Sequence, residues 1–283
     1  MLWQLPSGQK TAVDLQYRVR SVFVWGWMVV AGTDDEKAQL WDIGKQELVR
    51  VFDHAQGTHS RAKPNAVTSV FYTGQKLITC CDGGIARLWD SESGAQLQHF
   101  SYREERVLCV FLRASVLALG CSSGVTHLWD VGADAPLWDV SLADERALGQ
   151  VTSVFQSPCQ LATAVSAKVI LWALQDASLV RRFETPNDFH VSCVFLLEPD
   201  LVVGDRGGFV TIFNSVSGLC TMRLAHGPSN TIYSLFLDDR DLITGAADGR
   251  AYLWNADSGE QDRFFAQDDQ ILSVFVTPNK VFT

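Results

Sequence analysis

A five-residue motif that recurs along the chain constrains its fold more than any other sequence feature. It ends in phenylalanine, as in Val67–Phe71, which reads VTSVF. Seven copies end at the phenylalanines in positions 23, 71, 111, 155, 195, 236 and 275, which are 48, 40, 44, 40, 41 and 39 residues apart. Apolar residues on both faces of so short a run predict a strand covered on both sides. We call this motif the box.

A second motif closes each repeat and fixes its length. It reads LWD at Asp90 and varies to ILW at Trp172 and TIF at Phe213. The box phenylalanine and the closing tryptophan or phenylalanine are 18 residues apart in five repeats and 17 in one. Six of the nine tryptophans lie in this column, so the repeat accounts for the tryptophan content. A period of about 40–45 residues with four short strands per repeat is typical of the blades of a β-propeller.

The LWD endings and the Asp-Gly turns, such as Asp82-Gly83, resemble the WD40 repeat family over essentially the whole chain. The resemblance implies an all-β fold, a seven-bladed antiparallel WD40-type β-propeller in a single domain over residues 1–283. The last repeat reaches Thr283 before its closing tryptophan. We therefore expect the last blade to be shared between the termini, with inner strands from Ile271–Thr283 and outer strands from Met1–Asp14. The missing turn raises the hypothesis that the sequence is a fragment of a longer protein.

Charge and cysteine content bound the partners and the compartment. The net charge of −9 argues against a nucleic-acid partner, and no apolar run reaches the ~18–20 residues of a membrane span. The seven cysteines are an odd number, and Cys109 and Cys193 occupy a column that is serine in the other boxes. We expect reduced, structural cysteines on strands of an intracellular protein, cytoplasmic or nuclear. No metal site or cofactor is predicted, because no C-x-x-C and no histidine at ligand spacing is found.

The WD40 resemblance implies a structural hydrogen-bond network of histidine, serine or threonine, aspartate and tryptophan in each complete blade. We expect one complete network, formed by His226, Thr244, Asp248 and Trp254. The second repeat has Thr79 and Trp89 in the same columns, but no histidine is expected beside them. Its long preceding connection, residues 53–66, is interpreted as a solvated surface loop or as a partner-contacting loop. The charged residues of that connection include His54, His59, Arg61 and Lys63.

No catalytic motif is present in the sequence. The nucleophile elbow, the P-loop and the H-E-x-x-H motif are all missing, and acidic pairs such as Asp238-Asp239 lie in predicted turns. We therefore expect a non-enzymatic protein. Residues 202–219 also resemble quinone-cofactor propeller repeats, which leaves a quinone-dependent enzyme as a rival hypothesis. The WD40 resemblance further allows a substrate-recognition subunit of a ubiquitin ligase, although the W-D-x-R adaptor box is absent.

The WD40 resemblance implies a protein-protein interaction scaffold, monomeric within a larger complex. We define the top as the end of each blade that holds the turn between its second and third strands and the connection into the box. The predicted partner-binding residues at the top are Tyr17, Arg18, Tyr102, Arg103, Arg106, Arg146, Phe189, His190, Asn230 and Gln270. The two tyrosines and four arginines favour an acidic or phosphorylated peptide. Trp25 and Trp27, at the opposite or bottom end, are the alternative surface.

Overall fold

The computed structural model describes residues 2–4, 10–11, 15–55, 66–102, 105–140, 149–277 and 280–282. Within these ranges the regular elements are β-strands, and they form four-stranded antiparallel sheets. None of the described residues belongs to a helix long and apolar enough to cross a membrane. The all-β antiparallel architecture predicted from the repeat is therefore confirmed.

The strands follow the repeat, and six sheets each consist of four consecutive strands, which we call blades 1–6. The chain begins with β1 Leu2–Gln4 and β2 Lys10–Thr11. Blade 1 contains β3 Val19–Trp25, β4 Met28–Thr33, β5 Lys37–Asp42 and β6 Glu47–Asp53. Blade 2 contains β7 Val67–Tyr72, β8 Lys76–Cys81, β9 Ile85–Asp90 and β10 Gln96–Ser101. Blade 3 contains β11 Val107–Arg113, β12 Val116–Cys121, β13 Thr126–Asp130 and β14 Ala135–Val140.

The remaining three blades repeat this order. Blade 4 contains β15 Val151–Gln156, β16 Gln160–Val165, β17 Lys168–Ala173 and β18 Leu179–Glu184. Blade 5 contains β19 Val191–Leu197, β20 Asp200–Asp205, β21 Phe209–Asn214 and β22 Cys220–Ala225. Blade 6 contains β23 Ile232–Asp238, β24 Asp241–Ala246, β25 Arg250–Asn255 and β26 Gln261–Ala266. In every blade the box supplies the first strand and the closing motif supplies the third.

A small additional sheet joins both ends of the described chain. It contains β1, β2, β27 Phe275–Thr277 and β28 Lys280–Phe282 in the order β2-β1-β28-β27, so the predicted pairing of the two termini is observed. Its strands have two or three residues, whereas the strands of the blades have five to seven. The prediction of seven blades is therefore wrong in its count. Among the described residues, six sheets are full blades, and the described strands of the terminal sheet are shorter than those of the blades.

The chain comprises two compact units, and the boxes have the same role in each. The first unit is residues 13–151 and holds blades 1–3; the second is residues 1–12 and 152–283 and holds blades 4–6 with the terminal sheet. The prediction of a single domain stays a prediction.

Stacked phenylalanines and a serine join neighbouring boxes of the first unit. The ring centroids of Phe23 and Phe71 are 4.4 Å apart, and those of Phe71 and Phe111 are 4.5 Å apart. The Val70 N–H donates to Ser21 Oγ at 3.2 Å. Because these contacts recur with the repeat, they set how each box packs on the next within the unit.

The boxes of the second unit pack in the same way. The Phe155 and Phe195 centroids are 4.3 Å apart, those of Phe195 and Phe236 are 5.1 Å apart, and the Val194 N–H donates to Ser153 Oγ at 3.2 Å. The small residue predicted at the third box position is thus a hydrogen-bonding group between neighbouring blades.

The cysteines are all free thiols; four of the seven are buried, Cys109 is half-buried, and these five lie on the first or second strand of a blade. Cys109 and Cys193 replace the box serine and direct their thiols at the carbonyl oxygens of Val151 and Ile232, at 3.7 and 3.6 Å. Burial raises the pKa of Cys193 to about 12. Cys159 departs from the prediction that every cysteine lies on a strand, because it is exposed in the turn between β15 and β16.

Candidate functional site

A backbone hydrogen bond fixes the residue before the box at the top of most blades. The N–H of a residue in the turn between the second and third strands donates to the carbonyl of that residue at 2.9–3.2 Å. The pairs are Asp34 to Arg18, Asp82 to Ala66, Ser122 to Arg106, Arg206 to His190 and Ala247 to Thr231. The backbone of three predicted partner-binding residues, Arg18, Arg106 and His190, is therefore hydrogen-bonded to a top turn.

Two arginines of the first unit already bind carboxylates of their own chain. The Arg106 guanidinium donates from Nε to Asp82 Oδ1 at 3.2 Å, and its Nη2 donates to the same oxygen. Arg20 donates from Nε to Asp34 Oδ1. These pairs tie the top turns to the box strands, which leaves Arg106 less available for a partner than the sequence indicates.

The first two predicted partner-binding residues of the chain, Tyr17 and Arg18, are exposed. Tyr17 has an exposed fraction of 48%, and Arg18 beside it is exposed as well. Arg18 has no side-chain hydrogen-bond partner among the residues that the structure describes. Two other predicted residues, Arg103 and Arg146, lie outside the described residues.

Tyr102 has a structural role that the sequence did not show. Its hydroxyl accepts a hydrogen bond from Trp129 Nε1 at 2.6 Å, and its ring stacks on His127 with centroids 4.1 Å apart. Burial raises the pKa of Tyr102 to about 12. The residue therefore satisfies the indole N–H of blade 3 and is only partly available at the surface.

An exposed phenylalanine marks the top of blade 5. Phe189 has an exposed fraction of 40% and lies directly over Gly207, where a Cβ would stand 2.2 Å from its ring. Its ring stacks on Phe209 with centroids 6.3 Å apart, and the Arg223 guanidinium lies 3.9 Å from the Phe209 centroid. His190 follows and is exposed. These residues form an aromatic and basic surface.

The last two predicted top residues differ in how they are held. The Asn230 side chain donates to the His226 carbonyl at 3.2 Å and accepts from the Asp248 N–H at 3.0 Å, so it anchors its turn. Gln270 is exposed, and its carbonyl accepts a hydrogen bond from the Gln267 amide at 3.3 Å.

The predicted network of blade 6 is assembled in three of its four residues. Trp254 Nε1 donates to Thr244 Oγ1 at 3.0 Å, and the same hydroxyl is hydrogen-bonded to His226 Nε2 at 2.9 Å. Asp248 accepts instead from the Tyr252 hydroxyl at 3.1 Å. Burial lowers the pKa of His226 to about 4, so its imidazole is neutral near pH 7.

Blade 2 contains a second network, although no histidine was expected there. Trp89 Nε1 donates to Thr79 Oγ1 at 2.8 Å, and the same hydroxyl is hydrogen-bonded to His54 Nε2. His54 is only 3% exposed, and burial together with the charge of Arg87 lowers its pKa to about 3. Its interpretation as a residue of a solvated or partner-contacting loop is therefore wrong.

An insertion concealed this histidine in the sequence. His54 precedes its threonine by 25 residues, whereas His226 precedes its threonine by 18. Both histidines directly follow the last strand of the preceding blade, and that offset would have identified them. The other charged residues of the connection, His59, Arg61 and Lys63, lie outside the described residues.

Two tryptophans are exposed at the bottom of the first unit. Trp25 and Trp27 have exposed fractions of 54% and 51%. Each lies against a glycine, Trp25 with its indole N 3.1 Å from a Cβ built at Gly74, and Trp27 3.3 Å from one at Gly44. Trp25 of blade 1 therefore contacts the β7–β8 turn of blade 2, whereas Trp27 contacts a turn of its own blade, and about half of each side chain remains exposed.

Two comparisons with known proteins agree with this architecture. The family model of the WD domain, G-beta repeat, matches residues 48–90 and 218–255. Among solved structures, the crystal structure of the computationally designed Ika8 protein is similar, with a TM-score of 0.72 and 17% identity over 94% of this chain and 93% of that chain. This likeness shows the fold. A search of curated proteins finds no match.

The two matched segments are also the two that contain a histidine, threonine and tryptophan network. The first includes His54, Thr79 and Trp89, and the second includes His226, Thr244 and Trp254. The repeats between them keep the strands and lose the histidine. The matches and the arrangement of antiparallel blades together support a WD40-type β-propeller, and the chain is similar to that family in the two matched segments.

Proposed function

We propose that this chain is a non-enzymatic scaffold that binds a protein or peptide partner at the top ends of its blades. WD40 propellers commonly serve as protein-interaction scaffolds. The seven free cysteines support an intracellular, reducing compartment for this role.

The observation that carries the proposal is an exposed aromatic residue followed by a basic one, directly before the box. The first unit has Tyr17-Arg18 and the second unit has Phe189-His190 in the same columns, and both aromatic rings are at least 40% exposed. Backbone hydrogen bonds hold both basic residues in place. The residues that contribute most to binding at protein interfaces are enriched in Trp, Tyr and Arg, which favours Tyr17-Arg18.

The expected ligand is an acidic or phosphorylated peptide. Arg106 shows that an arginine directly before the box can reach a carboxylate, since it binds Asp82. Arg18 occupies the same column and has no such partner among the described residues. A guanidinium binds a carboxylate or phosphate through charge-assisted hydrogen bonds, so Arg18 is the first candidate contact.

The proposal is tested by capture of partners from lysate with folded variants. The top variants are Tyr17→Ala/Arg18→Ala and Phe189→Ala/His190→Ala. Loss of two interface residues of this type costs on the order of 2–4 kcal/mol, so a captured partner should be lost or reduced at least tenfold. Val216→Ala/Leu219→Ala is the matched control, because both residues are exposed and apolar but lie in the turn between β21 and β22.

The bottom surface is the second candidate, favoured by the exposure of Trp25 and Trp27. A Trp25→Ala/Trp27→Ala variant should keep the partners of the top face. If it loses them while both top variants keep them, the binding surface is the bottom and the top-face proposal is wrong. Incubation of wild type with a phosphopeptide mixture and with its phosphatase-treated copy then tests the charge of the ligand.

A further inference from the structure

Three side chains with different metal-ligating atoms converge at the top of blade 3. Glu105 lies in the connection into β11, Cys121 ends β12, and His127 lies in β13. Their ligand atoms all lie within 4.8 Å of one another, and His127 Nε2 is 3.4 Å from Glu105 Oε2. Residues from three separate segments therefore meet at one point, which spacing along the chain did not indicate.

The imidazole of His127 is already oriented toward this point. Asp139 is its cross-strand neighbour on β14, and His127 Nδ1 is 2.6 Å from Asp139 Oδ1. The ring is also stacked on Tyr102. A carboxylate that accepts the Nδ1–H leaves the Nε2 lone pair directed at Glu105 and Cys121. Metal-ligating histidines in proteins are typically held by a carboxylate or carbonyl in this way.

We propose that Glu105, Cys121 and His127 bind a Zn²⁺ ion, with Asp139 as the residue that positions His127. Thiolate, imidazole and carboxylate are the three ligand types that zinc takes in proteins. Bond lengths of about 2.0–2.3 Å place two ligands of a tetrahedral ion roughly 3.3–3.6 Å apart. The observed separation of 3.4 Å between the nitrogen and oxygen atoms matches this value.

The cluster is specific to blade 3. The first column is the residue two before the box, and the second is the last residue of the second strand. The third is the residue of the third strand that pairs with the position of the network threonine, which is Leu119 in blade 3. The other blades hold, in that order, Tyr17, Thr33 and Gln39; Asn65, Cys81 and Arg87; Gly149, Val165 and Ile170; Phe189, Asp205 and Thr211; and Asn230, Ala246 and Tyr252. The fold therefore does not require these residue types here, and none of the other blades offers three ligands.

The surroundings suit an ion with one open position. Cys121 is fully buried, and the side chains of His127 and Glu105 are 12% and 28% exposed. Three protein ligands leave the fourth tetrahedral position to water at the more exposed Glu105 side. The ion would join the connection into β11 to β12 and β13. The simpler alternative is that His127 only forms ion pairs with Glu105 and Asp139.

Cobalt titration separates these two possibilities. The background protein carries Cys159→Ser and Cys220→Ser, which remove the two exposed thiols. After chelator treatment it is titrated with Co²⁺ alone under a non-coordinating reductant. We expect one equivalent to bind with a thiolate-to-cobalt charge-transfer band in the near ultraviolet, and Zn²⁺ to abolish the band. Cys121→Ser should remove the band, whereas Cys109→Ser, a cysteine of the same blade where other boxes have serine, should retain it.

Substitutions at two exposed or half-buried positions, which should not disturb folding, distinguish loss of a metal ligand from loss of the fold. Asp139→Asn should weaken Co²⁺ binding about 10- to 100-fold while retaining the charge-transfer band at saturation, as expected of a positioning residue. Glu105→Gln should weaken binding and change the visible bands, because one ligand is lost. Circular dichroism of each variant should match the background. Absence of the band in the background protein, or its persistence in Cys121→Ser, overturns the proposal.

Discussion

Blades 2 and 3 belong to the same unit and carry the same tryptophan, yet they satisfy its indole N–H differently. In blade 2, Trp89 donates to the buried Thr79 on the neighbouring strand. In blade 3 the threonine column holds Leu119, and Trp129 donates to the hydroxyl of Tyr102 from the connection into the box. A buried indole needs an acceptor, but the fold does not specify which residue supplies it.

The other blades extend this comparison. Trp172 of blade 4 donates to Thr163 at 2.9 Å without a histidine, and Trp41 of blade 1 donates to Gln39 at 3.1 Å. Blade 5 has Phe213 in the tryptophan column and Val203 in the threonine column, so no donor remains to be satisfied. The members of the polar network therefore vary independently, since blade 4 keeps the threonine and tryptophan without a histidine and blade 1 keeps the tryptophan with a glutamine acceptor. Blade 3 lacks the threonine and the histidine of this network, and its top holds the cluster proposed to bind zinc.

The largest expected effect comes from the buried histidines of the networks and concerns how the free energy of unfolding depends on pH. Burial lowers the pKa of His54 to about 3 and that of His226 to about 4, whereas an unfolded histidine titrates near 6.5. Below pH 6.5 the unfolded state binds protons that the folded state does not, so stability is full above that pH and falls as pH decreases toward 4. At about 1.4 kcal/mol per pH unit, each histidine costs about 2 kcal/mol at pH 5.

Urea unfolding at pH 8, 6 and 5 measures this loss. His54→Gln cannot titrate, and it should remove about half of the pH-dependent loss whatever it does to the stability at pH 8. His99→Gln is the control for the substitution itself, since His99 is exposed on β10 and belongs to neither network. A profile that His54→Gln does not alter would mean that blade 2 contributes nothing to it.

A smaller effect is expected when the acceptor of blade 2 is removed. Thr79→Val keeps the shape of the side chain but leaves Trp89 Nε1 and His54 Nε2 without their shared partner, and all three residues are buried. Two unsatisfied buried groups cost about 3 kcal/mol together. Thr163→Val is the matched control, because that hydroxyl accepts from the Trp172 indole but binds no histidine among the described residues, and it should cost about half as much. Equal losses in urea unfolding would show that His54 adds nothing.

The strands of this fold, and the equivalent positions within them, were predictable because the same motifs recur in every repeat of the sequence. The box strands of blades 1–6 begin where the motif begins, whereas β27 begins only at Phe275, the last residue of the seventh box. The serine-or-cysteine column forms hydrogen bonds between neighbouring blades. Single residues outside the repeat were not predictable in the same way. His54 was hidden by an insertion of variable length, and the role of Tyr102 depends on the absence of a threonine in another strand.

The candidate surface was predicted less well for a related reason. The position of a residue before the box identified which side chains lie at the top. It did not show which of them form ion pairs or hydrogen bonds within the chain. Arg106 is occupied by Asp82, which comes from the neighbouring blade and is 24 residues away in the chain. Arg18 and Phe189 remain exposed. Pairing between separate turns is a property of the folded chain, and a single sequence does not contain that information.

The smallest effect is expected at Tyr102, and it tests the comparison most directly. Tyr102→Phe removes the acceptor of Trp129 but keeps the ring that stacks on His127. Tyr102 and Trp129 are only partly buried, whereas Trp89 is buried, so water can take over the lost hydrogen bond. We expect a loss of about 1 kcal/mol in urea unfolding, near the net value of one hydrogen bond and well below that of Thr79→Val. A loss as large as that of Thr79→Val would mean that water does not reach the indole N–H of Trp129. The tryptophan indoles of both blades would then be equally shielded from water.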